Sequence, residues 1–225
     1  MTRYGMLINT KKCVGCSACR IACQMKNHLD PEESFIKYHE IETGEYPNVY
    51  NEIVPTQCMH CEDAPCAAVC PTHATYITDS GVVLVDEEKC IGCKYCMAAC
   101  PYGARIVQEK TGVVEKCRFC WDGEKPGNPP ACVGTCISGA RIFGDLDDPD
   151  SEINQAIAKY HAQPLADNLT VSKIYYVRSV SYTHLDVYKR QLPCRGRRRC
   201  ALASGCDVPA DREAEQLRRR GGRPD

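Results

Sequence analysis

Sixteen of the nineteen cysteines fall into four compact groups that have the spacing of metal ligands. Every group begins with C-x2-C and ends with C-x3-C, while the gap between these pairs is two, four, two and eleven residues in groups one to four. The members are Cys13, Cys16, Cys19 and Cys23; Cys58, Cys61, Cys66 and Cys70; Cys90, Cys93, Cys96 and Cys100; and Cys117, Cys120, Cys132 and Cys136. Three closely spaced cysteines on a tight loop can wrap three corners of an iron-sulfur cubane, so the spacing predicts such clusters.

The fourth cysteine of each group has a different predicted task. It comes three residues after the third, at the expected start of a helical turn, and points away from the first cluster. It must then ligate a neighbouring cluster, as in bacterial two-cluster ferredoxins. Pro71 and Pro101 complete the ferredoxin signature after groups two and three, whereas Gln24 and Ile137 occupy that position in the other groups.

An internal repeat supports the two less complete groups. Group two is followed by a Gly-Val-Val run and then group three, and group three by another Gly-Val-Val run and then group four. The segment Gly-Ala-Arg-Ile occurs after groups three and four, at residues 103–106 and 139–142. The β-rich runs at 75–78 and 82–85, separated by Asp79-Ser80-Gly81, predict a short hairpin in each linker.

Other cysteine chemistries fit the pattern less well. A zinc site normally joins two C-x2-C knuckles across a longer spacer, whereas here a third cysteine follows closely. A zinc-stabilised interaction module without redox function is nevertheless the alternative of a different class. Haem attachment requires C-x-x-C-H, and no group has that histidine. The segment Met1–Met6 contains no signal core, so we expect synthesis among reduced thiols, which disfavours a disulfide framework.

The charge is unevenly distributed along the chain. Residues 179–225 carry eleven Lys or Arg and six Asp or Glu, which is a net charge of +5. Because the whole chain has a net charge of −1, residues 1–178 have a net charge of −6. An acidic body argues against nucleic acid as a partner, because phosphate binding needs a basic face. No apolar run is long enough for a membrane span, so we expect no direct span.

The last part of the chain is predicted to lie outside the fold. Residues 180–191 can be encoded by DNA whose two halves are inverted complements, as at a transposon-adapter junction of a sequencing library. Residues 179–225 are therefore interpreted as adapter read-through or a foreign frame. The alternative is a basic tail at 192–225 that binds anionic lipid or nucleic acid. Cys194, Cys200 and Cys206 are assigned no role.

With these motifs in place, residues 3–178 resemble the four-cluster electron-transfer subunit of the dimethyl sulfoxide reductase family. Polysulfide, thiosulfate and tetrathionate reductase members are the most similar. The resemblance rests on Tyr4-Gly5-Met6, Cys13-Val14-Gly15-Cys16, Cys58-Met59-His60-Cys61-Glu62-Asp63-Ala64-Pro65-Cys66, Cys90-Ile91-Gly92-Cys93 and Phe143-Gly144-Asp145-Leu146-Asp147-Asp148-Pro149. No ligand position is replaced, so four [4Fe-4S] clusters are implied.

The resemblance also implies how the groups share clusters. Groups one and four would hold two clusters, and groups two and three the other two. The implied sets are Cys13, Cys16, Cys19 with Cys136; Cys117, Cys120, Cys132 with Cys23; Cys58, Cys61, Cys66 with Cys100; and Cys90, Cys93, Cys96 with Cys70. The implied fold is α+β and loop-rich: two fused bacterial-ferredoxin-like modules with short hairpins and helices, within one domain at 1–178.

The function implied by the resemblance is electron transfer without substrate chemistry. The chain would relay single electrons between a quinol-oxidising membrane subunit and a molybdopterin catalytic subunit of a sulfur-compound or sulfoxide reductase. The alternative is the equivalent subunit of a formate dehydrogenase or hydrogenase complex. Association with the membrane would be peripheral, through the partners. The chain would lie on the periplasmic face if co-exported with the catalytic subunit, or otherwise in the cytoplasm.

Several features outside the cysteines complete the predictions. Residues 24–57 form an insertion, with strands near 35–38 and 52–54 broken at 43–45. The resemblance implies that this insertion helps to dock the catalytic subunit; the alternative is a hairpin that only covers the first cluster pair. In the segment 150–178 we expect a helix that begins after Ser151, then a strand. His60 is a candidate for tuning a cluster potential or contacting a quinol. Basic residues near the ligand loops could raise potentials: Lys94, Arg105 and Arg118.

Overall fold

The computed structural model describes residues 2–127, 129–165 and 170–178. The predictions about residues 179–225 lie outside this part of the chain. The elements run in the order β1 (Tyr4–Asn9), α1 (Ala18–Asn27), β2 (Lys37–Glu45), β3 (Asn48–Thr56), α2 (Pro65–Ala68), β4 (Thr75–Ile77), β5 (Val83–Val85), α3 (Tyr95–Ala98), β6 (Arg105–Val107), β7 (Val114–Lys116), α4 (Ala131–Gly134), β8 (Arg141–Asp145), α5 (Glu152–Tyr160), β9 (Gln163–Pro164) and β10 (Ile174–Val177).

A four-stranded sheet joins the two ends of the described chain. Its order is β8-β1-β10-β9, with β1 antiparallel to β8 and parallel to β10. The apolar run in β1 buries both faces, because successive side chains alternate across a strand. Leu7 packs with Ile153 of α5 on one face, whereas Met6 and Ile8 belong to the larger core that contains the cysteines. Strand β1 therefore lies between helix α5 and the core that contains the cysteines.

The linkers between the later cysteine groups are small antiparallel hairpins. Strand β4 pairs with β5, and β6 pairs with β7. The first hairpin confirms the strand prediction at 75–85, with Gly81 at φ +72° in its turn. The predicted C-terminal helix is also confirmed: Ser151 caps α5, and its Oγ accepts a hydrogen bond from the Asn154 amide. Both elements were visible in the sequence because their signals are local.

The third hairpin, β2–β3, differs from its prediction. The expected break at 43–45 is wrong, because these residues lie inside β2 and pair with residues of β3. The chain turns instead at Tyr46-Pro47, between the paired residues Glu45 and Asn48. Gly44 has φ +93°, and a Cβ there would clash with the Asn48 carbonyl oxygen. Its glycine therefore marks a close backbone approach near the hairpin end, not the end of the strand.

The third cysteine of every group lies in a helix. Contrary to the sequence prediction, the helical turn contains the third cysteine and precedes the fourth in groups two to four; Cys66, Cys96 and Cys132 lie within α2, α3 and α4. In group one, Cys23 lies inside the longer α1. Helix α1 contacts α4, and α2 contacts α3. The helices of groups one and four thus meet, as do those of groups two and three.

Candidate electron-transfer site

Four cavities are each lined by four cysteines. Cavity A is lined by Cys13, Cys16, Cys19 and Cys136; cavity B by Cys23, Cys117, Cys120 and Cys132; cavity C by Cys58, Cys61, Cys66 and Cys100; and cavity D by Cys70, Cys90, Cys93 and Cys96. Each cavity takes three cysteines from one group and one from another. All sixteen are free thiols.

One backbone conformation shapes the start of all four ligand loops. The residue before the second cysteine is left-handed in every group, with φ of +66° at Gly15, +45° at His60, +66° at Gly92 and +51° at Phe119. Glycine adopts this region without strain, whereas other residues there lose roughly 1–2 kcal/mol. The turn at this position bends each C-x2-C pair around its cavity.

The two strained positions that are not glycine support each other. The rings of His60 and Phe119 stack with centroids 3.7 Å apart, and both side chains are fully buried. The His60 Nδ1 accepts a hydrogen bond from the Val83 amide at 3.2 Å. Burial holds the pKa of His60 well below its ordinary value, and the nearby Lys116 charge lowers it further. The predicted contact between His60 and a quinol is wrong for this structure, because no part of the ring reaches the surface.

Solvent exposure separates the cavities into an inner and an outer pair. Cys16 of cavity A and Cys93 of cavity D are exposed. In cavities B and C, by contrast, three of the four cysteines are buried. The inner cavities are therefore shielded from water, and the outer cavities reach the surface.

Hydrogen bonds reach several sulfur atoms directly. The Tyr38 hydroxyl lies 3.0 Å from Cys19 Sγ, and backbone amides donate to Cys120 and Cys136 at 3.4 and 3.3 Å. Burial by itself would raise the pKa of Cys136, but the Ser138 hydroxyl and neighbouring amides lower it overall. Hydrogen bonds to sulfur are one of the means by which a protein sets cluster potentials.

The most buried thiols show the opposite shift. Burial raises the pKa of Cys23 to about 12, and of Cys61 and Cys132 to about 11. Nearby thiols of the same cavity add to the shift of Cys23, because thiolate charges repel one another. Four converging thiolates therefore need a positively charged core between them.

The basic residues near the cavities differ sharply in burial. Of the three predicted from sequence, Lys94 is exposed, and Arg118 is partly exposed in ion pairs with Glu87 and Glu115. Arg105 alone is buried, and it lines cavities C and D. Three more basic residues are buried and were not predicted from the sequence, namely Lys116, Arg141 and Lys173. The repeat that aligns residues 103–106 with 139–142 could have identified Arg141.

The donors fit iron-sulfur clusters better than single ions. Within residues 2–127, 129–165 and 170–178, no three His, Cys, Asp or Glu side chains converge closely enough to hold one metal ion. The sixteen thiols instead line four cavities in sets of four, with three from one group and one from another. Cysteine thiolates are the standard ligands of [4Fe-4S] clusters.

Comparison with known proteins supports the same cofactor. Two 4Fe-4S dicluster domain models match, at residues 12–74 and 49–146, and together they span all sixteen cysteines. The iron-sulfur subunit of a putative dimethyl sulfoxide reductase from Halobacterium salinarum is 38% identical over 208 residues, covering 79% of each chain. This chain is a member of the iron-sulfur subunits of the dimethyl sulfoxide reductase family. It is therefore a non-catalytic electron-transfer subunit, and the two dicluster matches imply four [4Fe-4S] clusters.

Two further relatives are subunits of sulfur-compound reductases. A tetrathionate reductase subunit of Salmonella typhimurium is 40% identical over 154 residues, which are 67% of this chain and 61% of that protein. A polysulfide reductase chain of Wolinella succinogenes is 39% identical over 162 residues, which are 69% of this chain and 83% of that protein.

In the part of the chain that the structure describes, no helix is long and apolar enough to cross a membrane.

Proposed function

We propose that the chain relays single electrons between a quinol-oxidising membrane subunit and a molybdopterin catalytic subunit of a sulfur-compound or sulfoxide reductase. The observation that carries this proposal is the set of four cavities, each lined by four free cysteines. The named relatives are subunits of dimethyl sulfoxide, tetrathionate and polysulfide reductases, which favours a reductase over the formate dehydrogenase or hydrogenase alternative.

The proposed ligands are the cysteines that line each cavity. Cavity A would hold its cluster on Cys13, Cys16, Cys19 and Cys136; B on Cys23, Cys117, Cys120 and Cys132; C on Cys58, Cys61, Cys66 and Cys100; and D on Cys70, Cys90, Cys93 and Cys96. The contacts of α1 with α4 and of α2 with α3 support an arrangement as two fused ferredoxin-like modules. One module would contain cavities A and B, and the other C and D.

When bound, [4Fe-4S] clusters supply reversible one-electron transfer. The residues of this chain do the rest. The sixteen thiolates hold the clusters, amides and the Tyr38 hydroxyl donate to sulfur, and the packed core keeps water from the inner cavities. Partners would approach at the outer cavities, beside the exposed Cys16 and Cys93.

The proposed location follows from the partners. As a subunit of a respiratory reductase, the chain would associate peripherally with the membrane through the other subunits. It would lie on the periplasmic face after co-export with the catalytic subunit, or else on the cytoplasmic face.

The first experiment measures iron, acid-labile sulfide and zinc per chain in the anaerobically reconstituted full-length protein. Four cubanes require about sixteen iron and about sixteen sulfide. We expect these values, together with visible absorbance that bleaches on reduction. A few zinc ions without sulfide would replace the electron-transfer proposal with a zinc-stabilised interaction module.

A second experiment tests the ligand sets. Cys136→Ser should alter the same electron paramagnetic resonance (EPR) component as Cys16→Ser, because both thiols line cavity A. Cys23→Ser should alter a different component, although Cys23 belongs to the same sequence motif as Cys16. If Cys16→Ser and Cys23→Ser changed one shared component and Cys136→Ser another, the proposed assignment would be wrong.

A further inference from the structure

Of the four buried basic residues in the described chain, three contact residues that line the cysteine cavities, namely Arg105, Lys116 and Arg141; the fourth, Lys173, donates to the Gly81 carbonyl oxygen instead. Arg105 and Lys116 are 3% exposed, and Arg141 is 4% exposed. Among the described residues none of the three forms an ion pair with Asp or Glu. Within the same part of the chain, Arg105 Nε and Nη2 and Arg141 Nη2 are buried without a hydrogen-bond partner. In the described part of the chain, the nearest anionic groups available to these side chains are therefore cysteine thiolates and not carboxylates.

Arg105 separates cavities C and D. Its side chain lines both cavities, and its Nη1 donates to the Thr75 hydroxyl at 3.3 Å. Thr75 lines cavity D. The guanidinium group thus contacts the walls of two neighbouring cavities from one position.

Arg141 occupies the matching place between cavities A and B. It lines cavity A, and its Nη1 donates to Gln57 Oε1 at 2.8 Å. Gln57 lines cavity B, where its side-chain amide lies 3.9 Å from Cys117 Sγ. Because Arg105 and Arg141 are equivalent in the internal repeat, the two arginines have corresponding places in the two halves of the chain.

Lys116 spans the remaining junction, between cavities B and C. Its Nζ donates to the carbonyl oxygen of Cys117 at 2.9 Å, and Cys117 lines cavity B. The same Nζ donates to the carbonyl oxygen of Val83, which lines cavity C. Together with the two arginines, these contacts connect the cavities in the order A, B, C, D. The exposed cysteines Cys16 and Cys93 line cavities A and D, which are the two ends of this series.

A buried charge without a counter-ion is strongly destabilising, so each cation requires an anion nearby. The four thiolates of an iron-sulfur cluster outweigh the charge of its core, and the bound cluster is therefore an anion. Reduction adds one more negative charge, which a nearby cation stabilises in a medium of low dielectric constant.

We propose that Arg141, Lys116 and Arg105 are the counter-cations of the three cluster junctions, each raising the reduction potentials of the two clusters that it separates. This inference rests on the proposed electron-transfer function. Arg141 acts on cavities A and B, Lys116 on B and C, and Arg105 on C and D. The three are positioning residues for electron transfer, since they touch the cavity walls and ligate no metal.

The test replaces each cation by methionine in the full-length reconstituted protein: Arg105→Met, Lys116→Met and Arg141→Met. Charge-preserving partners are Arg105→Lys, Lys116→Arg and Arg141→Lys. Lys89→Met is the matched control, because Lys89 precedes Cys90 as Lys116 precedes Cys117. The Lys89 side chain is 64% exposed and pairs with Asp86, so solvent already screens its charge. Iron and sulfide are counted first, and the clusters are then titrated by potentiometry with EPR detection.

Each methionine variant should move two of the four titrating components to lower potential. We expect at least a tenfold rise in the oxidised-to-reduced ratio at fixed ambient potential, which is about 59 mV for one electron. The pair moved by Lys116→Met should share one component with each arginine pair, and the two arginine pairs should share none. A purely structural role would not produce this overlap. Lys89→Met should move no component.

The outcomes separate this inference from the proposed function. Wild-type protein without iron and sulfide would refute the electron-transfer function itself. Four clusters with unchanged potentials in the methionine variants would overturn only the counter-cation role, as would equal shifts in the charge-preserving variants. If a methionine variant retains no cluster, four clusters in its charge-preserving partner support the proposal. Loss of clusters in both overturns it, because the position then requires shape and not charge.

Discussion

In the ligand loop of the third cysteine group, position 92 has no room for a side chain. Gly92 has φ +66°, and a Cβ at this position would lie 2.7 Å from the carbonyl oxygen of Gly112 in the β6–β7 turn. That oxygen belongs to the backbone and cannot rotate away. Gly92→Ala should therefore displace the loop that carries Cys90 and Cys93, and loosen the cluster in cavity D.

The size of the effect follows from two contributions. Left-handed strain accounts for roughly 1–2 kcal/mol, and the forced backbone shift adds roughly 1–3 kcal/mol. Gly112→Ala is the matched control, since Gly112 has φ +70° and nothing lies within 4 Å of its added Cβ. The control should show only the strain. The excess of roughly 1–3 kcal/mol in Gly92→Ala corresponds to about a 5-fold to 150-fold larger open population of the loop.

Iron loss under excess chelator measures this open population, provided that opening is faster than chelation. In Gly92→Ala we expect about a quarter of the iron, one cluster of four, to leave at least about 5-fold faster than in Gly112→Ala. The remaining iron should leave at the control rate. Equal rates in the two variants would refute the reasoning, because strain alone would then explain the need for glycine.

Three further predictions concern other parts of the molecule. Ser151→Ala removes the N-cap of α5 and should lower the free energy of unfolding by about 1 kcal/mol, measured by thermal denaturation of the loaded protein; no change would show that the cap is dispensable. Tyr38→Phe removes the hydroxyl beside Cys19 and should lower the potential of one cluster, measured by potentiometry with EPR detection; four unchanged potentials would contradict this. Loading should release protons and become more complete as pH rises, because the raised pKa of thiols such as Cys23 keeps them protonated at neutral pH; a pH-stat trace without proton release would contradict this.

The parts of the fold that the sequence predicts are those with local signals. The cysteine spacing predicts the cofactor because ligand loops are short, and the β4–β5 hairpin follows from two β-rich runs around Gly81. Strand β10 pairs with β1, which lies at the opposite end of the described chain. A local sequence pattern does not predict a pairing between such distant segments. The β2–β3 turn was misplaced for a related reason. A glycine such as Gly44 is typical of the end of a strand, although the β2–β3 pairing continues through this residue.

The electrostatics of the site were only partly predictable. Lys94 and Arg118 are adjacent to cysteines in the sequence, and Arg105 follows Cys100 by five residues, but of the three only Arg105 is buried between two cavities. Burial depends on which segments pack above each side chain, and those segments are distant in sequence. Lys116 is an example, because its Nζ reaches the Val83 carbonyl oxygen of a different hairpin.

The register of the central sheet explains how the first and last cysteine groups meet. In the antiparallel pair of β1 and β8, Ile8 lies opposite Arg141, and the Asn9 amide donates to the Ala140 carbonyl oxygen just beyond it. Cys13 follows Ile8 by five residues, and Cys136 precedes Arg141 by five, so both cysteines emerge at the same end of the strand pair. Cavity A is therefore assembled by strand pairing and not by a local motif.

The same register fixes the face on which Arg141 lies. A slip of one residue between β1 and β8 would move every side chain of β8 to the opposite face of the sheet. The guanidinium group of Arg141 would then leave the junction of cavities A and B and enter the apolar contact between the sheet and α5. Burying a lone charge there would cost several kcal/mol, so the cation that we place between two clusters also selects the register that joins the first and fourth groups.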